Sequence, residues 1–231
     1  MCQFFSFCTD EYGKKYYFDW AQRQKVKFAG ADSHDHIISE YRLKDTNINC
    51  FEYNPLLKTF KVDKINTIDN RVQAEEWVKK LDFKKIVEPL IIKEIVNPLK
   101  GKAKKPTKKD IALLKEWASV WDSVGDSVGD SVRDSVGASV WDSVWDSVGA
   151  LVWDSVWDSV WDSVGALVRA SVRASVWDSV MAYIGSFSDI QYKYDFSPAV
   201  KLWERGLVPS YDGKTWRLHS GAKAEIVYEE K

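Results

Sequence analysis

The chain has 231 residues and a formal net charge of −1, which is enough length for one or two modest domains with a core. Its three cysteines, Cys2, Cys8 and Cys50, are too few for a disulfide framework, and the sequence has no signal peptide, so a reducing, cytoplasmic setting is expected. No apolar run approaches the roughly 20 residues of a membrane-spanning helix, so no transmembrane segment is expected.

Residues 1–98 predict the N-terminal part of an α+β domain. The predicted elements are a β-hairpin over residues 1–28, a second hairpin that joins 49–53 to 59–62, and a short amphipathic helix over 72–81. The apolar run that follows is interrupted by Pro89 and Pro98, which favours extended pieces or short helices packed on the sheet.

Residues 99–110 form a lysine-rich linker. Its candidate polyanion-binding residues are Lys102, Lys104, Lys105, Lys108 and Lys109. No arginine or aromatic residue lies between these lysines to stack on bases, which favours a solvated linker over a nucleic-acid site. A third interpretation is that the lysines pair with the acidic segment that follows. Thr107 and Asp110 resemble a capping box, which predicts that a helix begins there.

Residues 111–186 contain a tandem array, in which seventeen copies of the four-residue unit x-[DA]-[SL]-V run without a break from residue 117 to residue 184. The fourth position is Val in sixteen copies, which predicts that it is the buried position. The first position is Trp in eight copies, Gly in five and Arg in three, which is typical of a surface position. The array holds ten Asp and three Arg, and these charges favour solubility of an apolar segment.

The backbone of the array is predicted to be helical, with a β-solenoid as the alternative. A helix turns about 100° per residue, so each four-residue unit overshoots one turn by about 40° and the valine row winds around the helix. A single straight helix cannot bury such a row against one neighbour, although a right-handed supercoil can. The capping box and the helical spacing of the apolar residues after it favour the helix.

The repeated tryptophans are the candidate interaction residues, because tryptophan is enriched at protein interfaces. Seven of the eight are predicted to mediate the interaction, namely Trp121, Trp141, Trp145, Trp153, Trp157, Trp161 and Trp177. The array is therefore expected to bind another copy of the chain or another protein.

Residues 187–231 predict the C-terminal part of the α+β domain. A helix over 196–206 is expected from Ser197 as its cap, Pro198 at its first position and Gly206 at its end. A last hairpin joins 214–219 to 224–228. The fold class is therefore α+β, with one small antiparallel-sheet domain built from both chain ends and interrupted by the repeat arm.

The two ends of the chain resemble a group of uncharacterised bacterial and phage proteins. The residues that carry the resemblance are MCQFFSF at 1–7, YFDW at 17–20, DSH at 32–34, EW at 76–77, LDFKK at 81–85, LW at 202–203, GLVPSYDG at 206–213 and WRLH at 216–219. Members of this group carry arrays of WDSV and RASV units that differ in length. The resemblance implies no function.

Residues 32–36, with the sequence DSHDH, are the densest cluster of side chains that could bind a metal. A spacing of two places His34 and His36 on one side of a strand, and His219 would complete a three-histidine site if the chain ends meet. The simpler interpretation is a surface loop. The cysteines are interpreted as small buried apolar residues rather than nucleophiles.

The sequence favours a non-enzymatic structural or interaction protein that needs no cofactor. The first alternative is a metal-dependent enzyme that uses the cluster at residues 32–36. The second is nucleic-acid binding through residues 100–109.

Overall fold

The structure is a computed structural model that describes residues 5–25, 33–87, 89–124, 128–136 and 169–230. These residues form two compact units, which we call the N-terminal unit, up to Lys93, and the C-terminal unit, from Glu94 onward. Both units combine helices with an antiparallel sheet, so the predicted α+β class is confirmed.

The N-terminal unit contains a four-stranded antiparallel sheet in the order β2-β1-β3-β4. Its elements are β1 (Phe5–Asp10), β2 (Lys15–Tyr16), α1 (Trp20–Lys25), α2 (His34–Glu40), β3 (Ile48–Asn54), β4 (Thr59–Ile65), α3 (Arg71–Val78) and α4 (Phe83–Ile86). Both predicted hairpins are present, but the first is shorter than the expected range of 1–28, because β2 ends at Tyr16 and residues 20–25 form helix α1. The second one turns at Asn54, whose side-chain oxygen accepts hydrogen bonds from the backbone N–H groups of Leu56 and Leu57, as asparagine does in many turns.

Both faces of this sheet are covered, so every residue of β3 is buried. On one face, Ile37 of α2 packs with Cys8, Phe18, Ile48 and Cys50. The opposite face carries rings from β1 and β3 that pack against helices α3 and α4. The ring contacts there include Phe5 with Phe83, Phe7 with Trp77, and Tyr53 with Phe83.

Helix α3 confirms the predicted helix over 72–81, although it ends at Val78. Val72 is 61% exposed, whereas Ala74 and Val78 are buried. The two buried residues are four apart and therefore share one side of the helix.

The C-terminal unit contains a three-stranded antiparallel sheet in the order β5-β6-β7. Its elements are α5 (Lys108–Val124), α6 (Val128–Val136), α7 (Arg169–Gly185), α8 (Ser197–Glu204), β5 (Val208–Tyr211), β6 (Trp216–Ser220) and β7 (Glu225–Glu230). The last predicted hairpin is β6–β7, and α8 is the predicted helix, which ends before Gly206 with a positive φ of 81°. Strand β5 was not predicted.

The strands of the two chain ends therefore belong to two sheets, whereas one small antiparallel-sheet domain built from both ends was predicted. The physical reason is that each chain end contains strands that pair with each other across short turns. The strands β5, β6 and β7 follow one another with turns of a few residues, and consecutive strands pair more readily than distant ones.

The repeat units are helical wherever the structure describes them, in the second half of α5, in α6 and in α7. The sheets of the described residues include no solenoid. The capping box is present at the start of α5, where Thr107 and Asp110 exchange hydrogen bonds between side chain and backbone. The prediction of a helical backbone is confirmed for these units.

The winding valine row is covered from several directions within the C-terminal unit. Helix α7 contacts α6, α8 and strand β5. The buried valines of the described units are Val124, Val128, Val132, Val172, Val176 and Val180. Along α7 the buried surface widens until all four residues of the last unit, from Met181 to Ile184, are buried. The three elements that contact α7 thus cover a winding valine row that a single neighbouring helix could not cover.

Candidate functional site

Trp121, the first predicted interaction residue, is half-buried in an aromatic cluster of the C-terminal unit. Its ring meets Tyr211 and Trp216 at centroid distances of 5.6 and 5.8 Å, and the latter two rings stack at 4.9 Å. Its indole N–H donates a hydrogen bond of 2.8 Å to Asp178. Trp121 therefore packs within its own chain and still exposes part of its surface.

Asp178 differs from the other described aspartates of the array. It is 6% exposed, whereas Asp122, Asp130 and Asp134 are exposed. Its second carboxylate oxygen accepts a hydrogen bond of 3.1 Å from the backbone N–H of Val128. Burial raises the pKa of Asp178 to about 6, although the hydrogen bonds from Trp121 and Val128 act in the opposite direction.

The remaining predicted interaction residues divide into two groups. Trp177 is half-buried on α7. Trp141, Trp145, Trp153, Trp157 and Trp161 lie outside the residues that the structure describes.

A shallow pocket of about 210 Å³ lies beside the aromatic cluster. It is lined by Leu114, Lys115, Ala118, Trp216 and Glu230. The ammonium group of Lys115 lies 2.8 Å from the carboxylate of Glu230, so an ion pair borders the pocket. Pockets for cofactors and drug-sized ligands usually hold about 300–1,000 Å³, so this pocket is better suited to one side chain of a protein partner.

The predicted polyanion-binding lysines are all exposed. Lys102, Lys104, Lys105, Lys108 and Lys109 lie between the start of the C-terminal unit and the first turn of α5. The backbone of this segment is fixed to the turn between β6 and β7. The N–H of Lys104 donates to Ser220, and the N–H of Ala222 donates to the carbonyl of Gly101. The lysine side chains thus extend from an ordered backbone.

The three histidines do not form the predicted site. Residues 34–40 form helix α2 instead of a strand, so His34 and His36 are rotated by about 200° from each other, and His34 is buried while His36 and Asp35 are exposed. His219 belongs to the C-terminal unit, and Asp32 lies outside the described residues.

His219 is a core histidine, and both of its ring nitrogens are occupied. Nε2 lies 2.7 Å from the hydroxyl of Ser210, and Nδ1 lies 3.1 Å from the carbonyl oxygen of Ala224. Burial lowers its pKa to about 4, so the ring is neutral at pH 7. Because a carbonyl only accepts, Nδ1 carries the proton and Nε2 accepts from Ser210.

His34 does belong to a cluster of side chains that can bind a metal, but its partners are not among the predicted ligands. One ligand atom each of His34, Glu52 and Asp63 lies within 4.8 Å of the others. Glu52 and Asp63 occur on neighbouring strands, eleven positions apart, so no short motif in the sequence marks them.

The two described cysteines are buried, as predicted, and face each other across β1 and β3. Their sulfur atoms lie 3.4 Å apart. The hydrogen bond to Cys50 and burial raise the pKa of the Cys8 thiol, which agrees with a packing role rather than a nucleophilic one.

Comparison of the chain with protein-family models, with curated proteins and with solved structures gives no match. The resemblance of the chain ends to the bacterial and phage group therefore stays a prediction. Among the described residues, no helix combines the length and the apolar character that a membrane span requires.

Proposed function

We propose that this protein is a non-enzymatic interaction protein, and that the tryptophans of its repeat array mediate self-association. The observation that carries the proposal is the partial exposure of Trp121 and Trp177 at the first position of the unit, in units whose fourth-position valines, Val124 and Val180, are buried. The predicted surface position is not exposed in every unit, because Trp117 and Met181 at the same position are buried. Tryptophan is enriched among the residues that contribute most of the binding energy at protein interfaces.

The proposal rests on tryptophan rather than on valine. The valines of α7 are buried, and this helix packs against α6, α8 and β5 of the same chain, so they require no second copy. Five further tryptophans at the same position of the unit, from Trp141 to Trp161, repeat one interaction type along the chain. A weak contact that is repeated several times gives a high overall affinity, because the first contact raises the effective concentration for the next ones.

The pocket beside Trp216 supports the same proposal. Its volume of about 210 Å³ and its border, the ion pair between Lys115 and Glu230, suit a single large side chain better than a substrate. A tryptophan from the array of a second copy has the required apolar body, and its N–H suits the carboxylate at the border.

The test uses two matched variants of the full chain, measured by sedimentation velocity over a range of protein concentrations. In the first, Trp141, Trp145, Trp153, Trp157 and Trp161 are replaced by Arg, which already occurs at the first position of the unit. In the second, Asp142, Asp146, Asp154, Asp158 and Asp162 are replaced by Ala, which already occurs at the second position. Both variants change the net charge by the same amount.

Loss of self-association in the tryptophan variant alone is the expected result. A wild-type chain that stays monomeric at every concentration would overturn the proposal, as would equal losses in the two variants. Equal losses would assign the effect to charge.

A second candidate function is polyanion binding by the exposed lysines of residues 102–109. An ordered backbone that holds five lysines in solvent favours electrostatic contact with phosphates. Binding to single-stranded DNA should weaken linearly in a plot of log K against log salt, and Lys105→Gln should reduce that slope. We do not propose a metal-dependent enzyme, because both ring nitrogens of His219 form hydrogen bonds inside its own unit.

A further inference from the structure

His34, Glu52 and Asp63 come together on the face of the N-terminal sheet that α2 covers. Nδ1 of His34 lies 3.3 Å from a carboxylate oxygen of Asp63, and one ligand atom of each of the three residues lies within 4.8 Å of the other two. In a tetrahedral zinc site with bonds of 2.0–2.1 Å, two ligand atoms lie about 3.3 Å apart. The distance between His34 and Asp63 therefore already equals one edge of such a site.

The orientation of the His34 ring is fixed by its other nitrogen. Nε2 lies 3.0 Å from the carbonyl oxygen of Phe51, and a carbonyl can only accept, so Nε2 carries a proton. In the neutral ring the lone pair then lies on Nδ1, which faces Asp63. Metal-bound histidines in proteins almost always donate their second N–H to a carbonyl or carboxylate in this way.

Strand register places Asp63 beside His34. Lys61 pairs with Glu52, so the alternation of β4 puts Asp63, two residues further, on the side of the sheet that carries Glu52. Cys50 pairs with Lys64 and Phe51 pairs with Val62, so Asp63 is also the extra residue of a β-bulge, a feature that is frequent beside functional sites. The carboxylate of Asp63 meets His34, and Glu52, on the neighbouring strand, is only 2% exposed.

Lys61 supplies a positive charge to the same cluster. Its ammonium nitrogen lies 3.1 Å from the carboxylate of Glu52 and 3.8 Å from that of Asp63. A bound cation would compete with this ammonium group for both carboxylates. The side chain of Lys61 is 47% exposed, so it can turn away into solvent without a large rearrangement of the core.

We propose that His34, Glu52 and Asp63 form a binding site for one Zn²⁺ ion, and that Lys61 holds the two carboxylates when the ion is absent. One imidazole and two carboxylates are a ligand set that zinc accepts, with a fourth position left for water. The Asp63 side chain is 40% exposed, which gives the ion a path from solvent. The site lies within the N-terminal unit and is independent of the repeat array.

The experiment measures Zn²⁺ binding to the full-length chain after dialysis against a chelator, in competition with a chromophoric zinc indicator. The wild-type chain should bind one zinc ion at this site, and His34→Gln or Asp63→Asn should weaken that binding at least tenfold. His36→Gln is the matched control, because His36 is exposed on the other side of the same helix, and it should leave binding unchanged. Asp63 is part exposed, so Asp63→Asn should fold even if a change at Glu52 does not.

A substitution at Lys61 should change the zinc affinity in the opposite direction to the substitutions at His34 and Asp63. Lys61→Gln should tighten zinc binding, because it removes the competing cation, whereas Lys64→Gln, whose ammonium group pairs with Asp45, should not. Zinc held elsewhere, by the cysteines or by His36, would be insensitive to Asp63→Asn. The proposal is overturned if the wild-type chain binds no zinc, if Asp63→Asn and His34→Gln bind as tightly as His36→Gln, or if Lys61→Gln binds no tighter than Lys64→Gln.

Discussion

The indole N–H of Trp121 donates a hydrogen bond of 2.8 Å to the carboxylate of Asp178, which lies 57 residues further along the chain. One residue belongs to the second repeat unit and the other to the sixteenth. The units on either side of Asp178 carry Ala174 and Ala182 at the same position. A shift of α7 by one unit would therefore remove the acceptor, so this pair fixes the register of a helix whose repeated sequence fits several registers.

The first prediction concerns the strength of this pair. Asp178→Ala should lower the free energy of unfolding by about 2–4 kcal/mol, because it leaves the part-buried indole N–H of Trp121 and the buried backbone N–H of Val128 without their acceptor. A double-mutant cycle with Trp121→Phe should give a coupling energy of about 1–2 kcal/mol, measured by urea unfolding. Asp122→Ala, at an exposed copy of the same position, serves as control, and a loss as large as that of Asp178→Ala would contradict the register role.

The second prediction is the pH dependence that Asp178 contributes. Its folded pKa of about 6 lies above its ordinary value of 3.8, so folding favours the protonated form. The stability that this group contributes is complete below pH 3.8 and is lost as the pH rises through 6. The unfolding free energy of the wild type relative to Asp178→Asn should therefore fall by at most about 3 kcal/mol between pH 4 and pH 7.

Urea titrations of both chains at a series of pH values measure this difference. Curves that stay parallel from pH 4 to pH 7 would show that Asp178 keeps an ordinary pKa. The nearby charge of Asp130 also raises the pKa of Asp178. Asp130→Asn should consequently reduce the pH dependence without abolishing it.

Local signals in the sequence were sufficient to predict most helices and hairpins, but not which distant residues they contact. The exchange of hydrogen bonds between Thr107 and Asp110 needs only a spacing of three, and it was predicted. The pairing of Asp110 with Arg205 spans 95 residues and has no local signature. Burial alone would raise the pKa of Asp110, but its hydrogen bonds to Arg205 and Thr107 hold it below its ordinary value.

The candidate sites follow the same rule. The DSHDH cluster at residues 32–36 predicts His34 as a metal ligand, yet its partners Glu52 and Asp63 depend on the register between two strands. Asp178 is one of ten aspartates in near-identical units, so its burial could not be read from its own unit. Where a repeat is degenerate, the fold and not the local sequence decides which copy becomes part of the core.

The third prediction concerns the buried pair of Ser210 and His219. Ser210→Ala should lower the free energy of unfolding by about 1–3 kcal/mol at pH 7, because Nε2 of His219 loses its donor in a site closed to water. The folded pKa of His219, about 4, lies below its ordinary value of 6.5. The stability that the neutral ring contributes is thus present above pH 6.5 and is lost as the pH falls through 4.

Thermal unfolding of Ser210→Ala at pH 7, with Ser123→Ala as control, measures the first part of this prediction. Ser123 is exposed and donates to a carbonyl of its own helix, so its loss should change little. If both variants unfold at the same temperature, water or another group replaces Ser210 at the ring. His219→Gln should also remove part of the acid sensitivity between pH 6.5 and pH 4.

The fourth prediction compares two glycines at the two ends of the contact between the lysine segment and the β6–β7 turn. Gly101 and Gly221 both have positive φ, at 96° and 76°, so alanine is strained at either position by about 1 kcal/mol or more. A Cβ at Gly221 would lie 2.6 Å from the backbone nitrogen of Ala103, whereas a Cβ at Gly101 would meet no atom within 4 Å. Because backbone atoms cannot turn aside, Gly221→Ala should destabilise the chain by about 1–3 kcal/mol more than Gly101→Ala.

The same pair of variants tests whether the lysine segment acts as an ordered surface. If binding to DNA depends on the way the turn holds this segment, Gly221→Ala should weaken it more than Gly101→Ala does, at a temperature where both variants are folded. The hydrogen bond from Lys104 to Ser220, one residue before Gly221, would be displaced together with the backbone of Ala103. Equal affinities for the two variants would mean that only the number of lysine charges matters, since a flexible segment attracts phosphates through its charge alone.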